Sequence, residues 1–179
     1  GHADEIACGA YCLMRAARVR HCYIGIERNK PEAIEAMQRA AAGYEGMKVC
    51  VLRTKYPQGG EKQLIAAILG REVPSGALPV SVGAIVDNVA TAYAVQQAVV
   101  EGKPLTGRVL TVTGEGALNP GNYYVELGTP LLSLVQLSPE AERVIAGGPM
   151  MGKAVSRLDS PSTKGLSGLL VPGAPDAGK

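Results

Sequence analysis

The residues best suited to chemistry lie in TKYPQGGEKQLI, Thr54–Ile65, between a β-like run, KVCVLR (48–53), and an apolar helical run. Gly59 and Gly60 would let backbone N–H groups approach a flat or anionic ligand closely. The helix that follows would present free N–H donors and a partial positive end. Lys55 and Lys62 add charge suited to phosphate, and Glu61 could accept hydrogen bonds at the helix start or meet a ribityl or ribose hydroxyl. The G-x-x-x-x-G-K-[ST] loop is missing, and so is G-x-G-x-x-G. Spacing therefore leaves two readings open: a ligand loop, and a Gly-rich turn with a capping Glu.

A second turn of this kind is Val86-Asp87-Asn88-Val89-Ala90-Thr91. Taken alone, Asp87 or Asn88 reads as a helix N-cap. In an open α/β layer, however, ligands collect outside the carboxyl ends of strands, and two such turns would face one edge. A third motif, Gly147-Gly148-Pro149-Met150-Met151-Gly152, reads either as a tight turn or as a shaped tip that packs against a partner. No nucleophilic constellation stands out. His2 and His21 are the only histidines, both read as structural or surface residues, and C-x-x-C does not occur. Redox chemistry would have to come from a bound cofactor. Cys8, Cys12, Cys22 and Cys50 fit no zinc spacing well and read as reduced, small buried hydrophobes.

The elements that must position these turns alternate. Ile6, Ala10, Leu13, Met14 and Ala17 form a helical stripe over residues 4–18, and CYIGI (22–26) is a short buried-strand pattern. Pro31 opens a helix with Ile34 and Met37 on its apolar face, and Gly43 lies just past its end. KVCVLR is the next strand, and KQLIAAIL is a helix stopped at Gly70. GAIVDN reads as another short strand, and residues 89–102 as a helix with Val95, Ala98 and Val99 apolar. Such alternation predicts parallel strands joined by helical crossovers. The texture changes after Lys103-Pro104. RVLTVTGEG and NPGNYYVELG read as strands around a Pro120-Gly121-Asn122 turn. TPLLSLVQL (129–137) reads as a helix capped by Thr129, and AERVIAGGPMMG as a strand running into glycines. The expected organisation is an α/β domain over 1–104, an α+β domain over 105–170 and a fraying polar tail over 171–179.

Composition sets outer bounds. A chain of 179 residues allows one or two domains, and 46% hydrophobic with 19% charged residues is a globular balance. The net charge of +2, the absence of Trp and Phe, and seven scattered Tyr argue against a nucleic-acid surface. High Gly (23) and Pro (12) imply many tight turns. No stretch approaches the roughly 20 apolar residues of a membrane helix. The start, GHADEIACGA, lacks Met and shows no leader pattern, and it reads as a boundary within a longer chain.

IGIERNKPEAIEAM, TKYPQGGEKQLI, GREVPSGALPVSVGAIVDNVATAYAVQQAVVEGKPLTGRVLTVTGE, PGNYYVELGTP and GGPMMG together resemble the RnfC family, the C subunits of the Rnf ion-translocating electron-transport complex. The resemblance is collinear from about Ala3 to Leu170, and the wider pattern resembles the NADH- and flavin-binding subunit of respiratory complex I. It implies a Rossmann-like three-layer domain, truncated at its N-terminus, followed by a β-grasp (soluble-ligand-binding) domain. It places Gly59, Gly60 and Glu61 at the family's Gly-Glu turn beside flavin mononucleotide (FMN), with Tyr56 at a neighbouring tyrosine. Asn88 and Thr91 match the Asn-Asn-Val-x-Thr segment that touches flavin phosphate, with Asp87 in place of the first Asn. Lys62 replaces a second Glu, which leaves the nicotinamide contacts of NADH open.

The family's G-x-G-G-A-G-F-P-T loop would lie upstream of residue 1. Its two Cys-x-x-Cys-x-x-Cys-x-x-x-Cys motifs, which hold 4Fe-4S clusters, would lie downstream. The implied activity is electron transfer between NADH and ferredoxin through FMN and iron–sulfur clusters, coupled to ion translocation. The implied setting is peripheral, on the cytoplasmic face of a bacterial inner membrane, among other subunits of the complex. This span alone is expected to bind flavin weakly and to be inactive. A cobalamin-reductase flavoprotein of a microcompartment shares the domain order, though KYPQGGEKQ argues against it. A non-catalytic docking module of a redox complex is the other reading.

Overall fold

A computed structural model describes residues 1–173. The chain divides into two compact units, Gly1–Pro104 and a second beginning at Leu105.

The first unit is built on helix α1 (Ala3–Ala17) and a parallel strand pair, β1 (Cys22–Glu27) and β2 (Met47–Leu52). Helix α2 (Pro31–Ala41) makes the crossover between the strands. Pro31 stands in its first turn, where its missing N–H costs nothing. The register runs from Cys22 opposite Met47 to Glu27 opposite Leu52. Helix α3 (Glu61–Leu69) follows β2 and ends at Gly70, whose φ of 63° suits the left-handed C-cap. Helix α4 (Val89–Val100) closes the unit.

Ala7, Ala10 and Met14 lie on one face of α1 and pack with Ile24, Met37, Ala40, Ala41, Met47 and Ala92 in one core. Small residues dominate because α1 and α4 approach closely. A Cβ at Gly9 would collide with the backbone carbonyl of Ala92. Ile6 and Leu13, expected on the buried stripe, are only half-buried, and Ala17 is exposed. On α4 the buried positions are Ala92 and Gln96, whereas Ala98 and Val99 face outward, Val99 at 67% exposure. Of the apolar residues expected on α4, only Val95 is half-buried. The face turned to Gly9 is instead the one that carries Ala92 and Gln96.

GAIVDN does not form a strand, and residues 84–88 pair with no strand. The chain turns sharply before them, with the Ala84 N–H donating to the Pro79 carbonyl and Gly83 at φ 69°. That turn directs Ile85 outward, 67% exposed.

The second unit is mainly β. Strands β3 (Gly107–Thr113) and β4 (Gly121–Glu126) pair antiparallel, and β7 (Gly168–Leu170) lies parallel to β3. Two short strands, β5 (Ile145–Ala146) and β6 (Lys153–Ala154), complete the order β4-β3-β7-β5-β6. Leu110, Val112, Val125, Leu131, Val135, Val144 and Leu169 are in its core.

The helix expected over 129–137 shrinks to a 3-10 turn, Leu131–Ser133. The Leu131 N–H donates to the Ser160 carbonyl and the Leu132 N–H to the Leu158 carbonyl, which ties this turn to the 158–160 segment. Thr129 is not the cap; its hydroxyl donates to the Glu126 carbonyl at 2.7 Å. The expected tail at 171–179 also starts too early. Val171 is 0% exposed, and its N–H donates to Thr113 at 2.8 Å. Residues 174–179 lie outside the described residues.

Among the described residues, no helix is long and apolar enough to cross a membrane. Replacing Gly9 by Val forces a backbone shift between α1 and α4. We expect a loss of about 3 kcal/mol from overpacking, read as a lower urea midpoint.

Candidate functional site

The loop after β2 folds on itself before α3 begins. Gln58 N–H donates to the Lys55 carbonyl at 2.9 Å, and Gly60 N–H to the Pro57 carbonyl at 3.0 Å. These turns bury Gln58 inside the loop and leave Tyr56 76% exposed on its rim. A hollow of about 380 Å³ opens there, lined by Lys55, Tyr56, Pro57, Gln58, Gln63 and the Ala66–Ala67 pair. Sequence reasoning missed Gln58, Gln63, Ala66 and Ala67. The spacing of the last three residues, three and four apart on α3, carried the signal that they share a face.

Gly60 is the N-cap of α3, extended at φ −66°, and it supplies no side-chain cap. The first turn of α3 therefore keeps uncapped N–H donors, with the partial positive charge of a helix start. A Cβ at Gly59 would meet nothing within 4 Å, so the backbone is open to an approaching group. Glu61 is exposed at the first helical position. Lys62 turns another way: its Nζ donates to the Pro74 carbonyl at 3.0 Å. That ammonium fastens the 70–83 segment to α3, and Arg71 fastens the same segment through the Val82 carbonyl at 2.7 Å.

Asn88 is the N-cap of α4. Its Oδ1 accepts the Ala90 N–H at 2.9 Å, and its carbonyl accepts the Thr91 N–H at 2.9 Å. The capping alternative is thus what the side chain does in this structure. Thr91 is exposed in the first turn of α4, and Asp87 is exposed just before it.

The predicted residues are not gathered into one cavity. Tyr56 lines the hollow at α3. Asp87 and Asn88 line a separate, mostly apolar basin of about 520 Å³. Gly59, Gly60, Glu61, Lys62 and Thr91 line neither. The first turn supplies a helix start with open backbone donors, a chemistry suited to anions and to the edge of a polar ring, whereas at α4 Asn88 takes the Ala90 and Thr91 donors.

Among the described residues, no cluster of His, Cys, Asp or Glu is suited to a metal ion. All four cysteines are free and half-buried. Burial pushes the Cys22 and Cys50 thiols up, and burial with the neighbouring Cys8 does the same for Cys12. These three stay protonated at neutral pH, as poor nucleophiles and poor ligands.

Residues 1–97 match the sequence profile of the Nuo51 FMN-binding domain. Among curated relatives, the C subunit of the proton-translocating ferredoxin:NAD(+) oxidoreductase complex of Clostridium ljungdahlii is 46% identical over 94% of this chain and 38% of its own length. The C subunit of the Na(+)-translocating ferredoxin:NAD(+) oxidoreductase complex of Acetobacterium woodii is 44% identical, over 94% of this chain and 39% of its length. The C subunit of the ion-translocating oxidoreductase complex of Yersinia pseudotuberculosis is 41% identical, over 99% and 26%. The chain thus spans roughly a quarter to two fifths of these relatives. Among solved structures, an NAD+-reducing [NiFe]-hydrogenase in the H2-reduced state superposes with a TM-score of 0.74 over 95% of this chain and 36% of the other, at 19% identity.

Asn88→Ala removes the α4 cap. We expect it to cost about 1 kcal/mol in urea unfolding, with Asn88→Asp retaining most of that stability.

The profile match covers both turns and more than half the chain, and the chain belongs to the Nuo51 FMN-binding domain family, in the branch represented by the C subunits of the ion-translocating oxidoreductase complexes.

Proposed function

We propose that this chain is the flavin-binding part of a subunit that moves electrons between NADH and ferredoxin, in a membrane-associated complex coupled to ion translocation. The observation that carries the proposal is the family match over residues 1–97, which includes both strand-to-helix turns. The relatives named as ferredoxin:NAD(+) oxidoreductase subunits support the same substrates and the same multi-subunit setting.

The residues present fit part of a flavin site. The unobstructed Gly59 backbone and the uncapped start of α3 offer N–H donors to polar atoms of the isoalloxazine ring. Glu61 stands where it can accept from a ribityl hydroxyl or from the ring. Tyr56 offers an exposed ring beside the same loop. The exposed Thr91 hydroxyl offers a donor to phosphate, with Asn88 holding the start of α4 in shape. Lys62 acts at one remove, since it holds the 70–83 segment. FMN, once bound, would accept a hydride and release electrons singly, a chemistry no side chain here supplies. The iron–sulfur clusters that receive those electrons are assigned to parts of the polypeptide outside this span.

The parallel β1–α2–β2 crossover, with α1 and α3 on opposite faces of β1, supports a partial Rossmann-like layer for residues 1–104. The mixed five-stranded sheet, with β3 and β7 parallel, supports a β-grasp reading for residues 105–170. Residue 171 belongs with that second domain. We place the subunit peripherally, at the cytoplasmic face of the membrane, docked on other subunits of its complex. The cobalamin-reductase and docking-module readings have no observation that favours them over this one.

Flavin titration tests the proposal. A polypeptide of the relatives' full length should retain FMN through gel filtration and be bleached by NADH. Residues 1–179 should bind FMN at least about tenfold more weakly, about 1.4 kcal/mol less. A full-length polypeptide that neither retains flavin nor reacts with NADH would overturn the electron-transfer reading.

A further inference from the structure

The motif Gly147-Gly148-Pro149-Met150-Met151-Gly152 takes no part in the two turns described above. It joins β5 to β6, at the edge of the second unit's sheet away from β4. Backbone closes the base of this loop. The Gly152 N–H donates to the Gly148 carbonyl at 2.8 Å, and the Gly147 N–H donates to the Gly168 carbonyl of β7 at 2.8 Å. Gly147 holds φ 110°, and a Cβ at Gly152 would stand 2.5 Å from the Gly148 oxygen and 2.5 Å from Ile145 Cγ2. The base is therefore filled, and it leaves the Met150 and Met151 side chains outside, 73% and 86% exposed.

The chain has five methionines, and the fold sorts them into two groups. Met14, Met37 and Met47 are 6%, 6% and 7% exposed, packed in the core of the first unit. A thioether is oxidised when its sulfur lone pair attacks a peroxide oxygen, so the oxidant has to reach the sulfur. At Met150 and Met151 it can do so in the folded state. At the three core positions it has to wait for the unit to open. The second unit does not depend on the tip sulfurs either, since neither methionine belongs to its core. An oxygen atom added at the tip displaces no packed neighbour.

We propose that Met150 and Met151 form an oxidation site for hydrogen peroxide. At each sulfur the S–O bond forms as the peroxide O–O bond breaks. The sulfur loses two electrons and becomes a sulfoxide. The departing hydroxide takes the proton of the transferred oxygen and leaves as water. The product is polar where the thioether was apolar, so the reaction changes what the tip can pack against and leaves the sheet behind it in place. Hydrogen peroxide is the oxidant that reduced flavins release on meeting dioxygen. The site thus goes beyond the flavin reading without resting on it, because the peroxide can equally come from elsewhere.

Timed treatment of the full-length polypeptide with hydrogen peroxide, followed by peptide mass spectrometry, tests it. Met150 and Met151 should each gain one oxygen at least about tenfold faster than Met14, Met37 and Met47. The urea midpoint of the treated protein should fall no further than that of a Met150→Leu/Met151→Leu variant given the same peroxide. Equal rates at all five methionines overturn the proposal, as does a tip that resists peroxide. A midpoint that falls further than the variant's also overturns it, because the tip sulfurs would then be supporting the fold. Retention of FMN, measured on untreated samples, reports separately on the flavin reading.

Discussion

The close approach of α1 and α4 at Gly9 is the constraint on which the first unit depends. With no side chain at Gly9, the Ala92 carbonyl can sit against the backbone of α1. That approach fixes which face of α4 is buried, and it places the Asn88-capped start of the helix. It also orients α1 so that Ala7, Ala10 and Met14 meet β1 while Ile6 and Leu13 overhang its edge. Ala92, the residue in contact with Gly9, also lines the basin that Asp87 and Asn88 border. Dispersion between well-fitted backbones rewards such contacts only while the fit holds, which makes the position intolerant of any added atom.

Parts of this arrangement were legible in the sequence because their signals are local. Pro31 announced the start of α2 and Gly70 the end of α3, whereas the turn expected at Pro120-Gly121-Asn122 lies earlier, because Gly121 and Asn122 already pair with Val112 and Thr111 in the ladder. The two turns were recognisable as helix starts for the same reason. Other features depended on partners distant in sequence. TPLLSLVQL carries a helical pattern, yet only Leu131–Ser133 form a 3-10 turn, tied to the 158–160 segment through the Leu131 and Leu132 N–H groups. VPG at 171–173 reads as a tail by composition, yet Val171 fills the core of the second unit. GAIVDN has the composition of a strand but pairs with none among the described residues, and strand propensity expresses packing against neighbours more than backbone preference. Lys62 looked like a phosphate ligand by charge, and a carbonyl twelve residues away decides its role.

The second unit shows the same dependence on long-range closure. Its central strand β3 pairs with β4 on one side and with β7, from the far end of the unit, on the other. Gly114 (φ 109°) follows β3 where a Cβ would collide with the Val171 carbonyl. The chain therefore cannot finish this core until residue 171 arrives, and the 3-10 turn at Leu131–Ser133 is held against the 158–160 segment by two backbone hydrogen bonds. Non-local pairing of this kind forms late and slowly, since loop closure precedes any gain from contact.

The chemistry available to the chain follows from what its turns lack as much as from what they hold. Two histidines and four half-buried thiols give no side chain that can accept a hydride or carry single electrons. The uncapped start of α3 can do something different: its N–H groups can hold an anion or a polar ring edge without changing their own protonation state. A site of that kind binds and orients while a bound group changes oxidation state. The backbone donors of α3 need no proton movement to serve both oxidised and reduced forms. That physical match, between a pH-insensitive donor set and a redox-active ligand, is why the flavin assignment suits these two turns better than any acid–base or nucleophilic mechanism would.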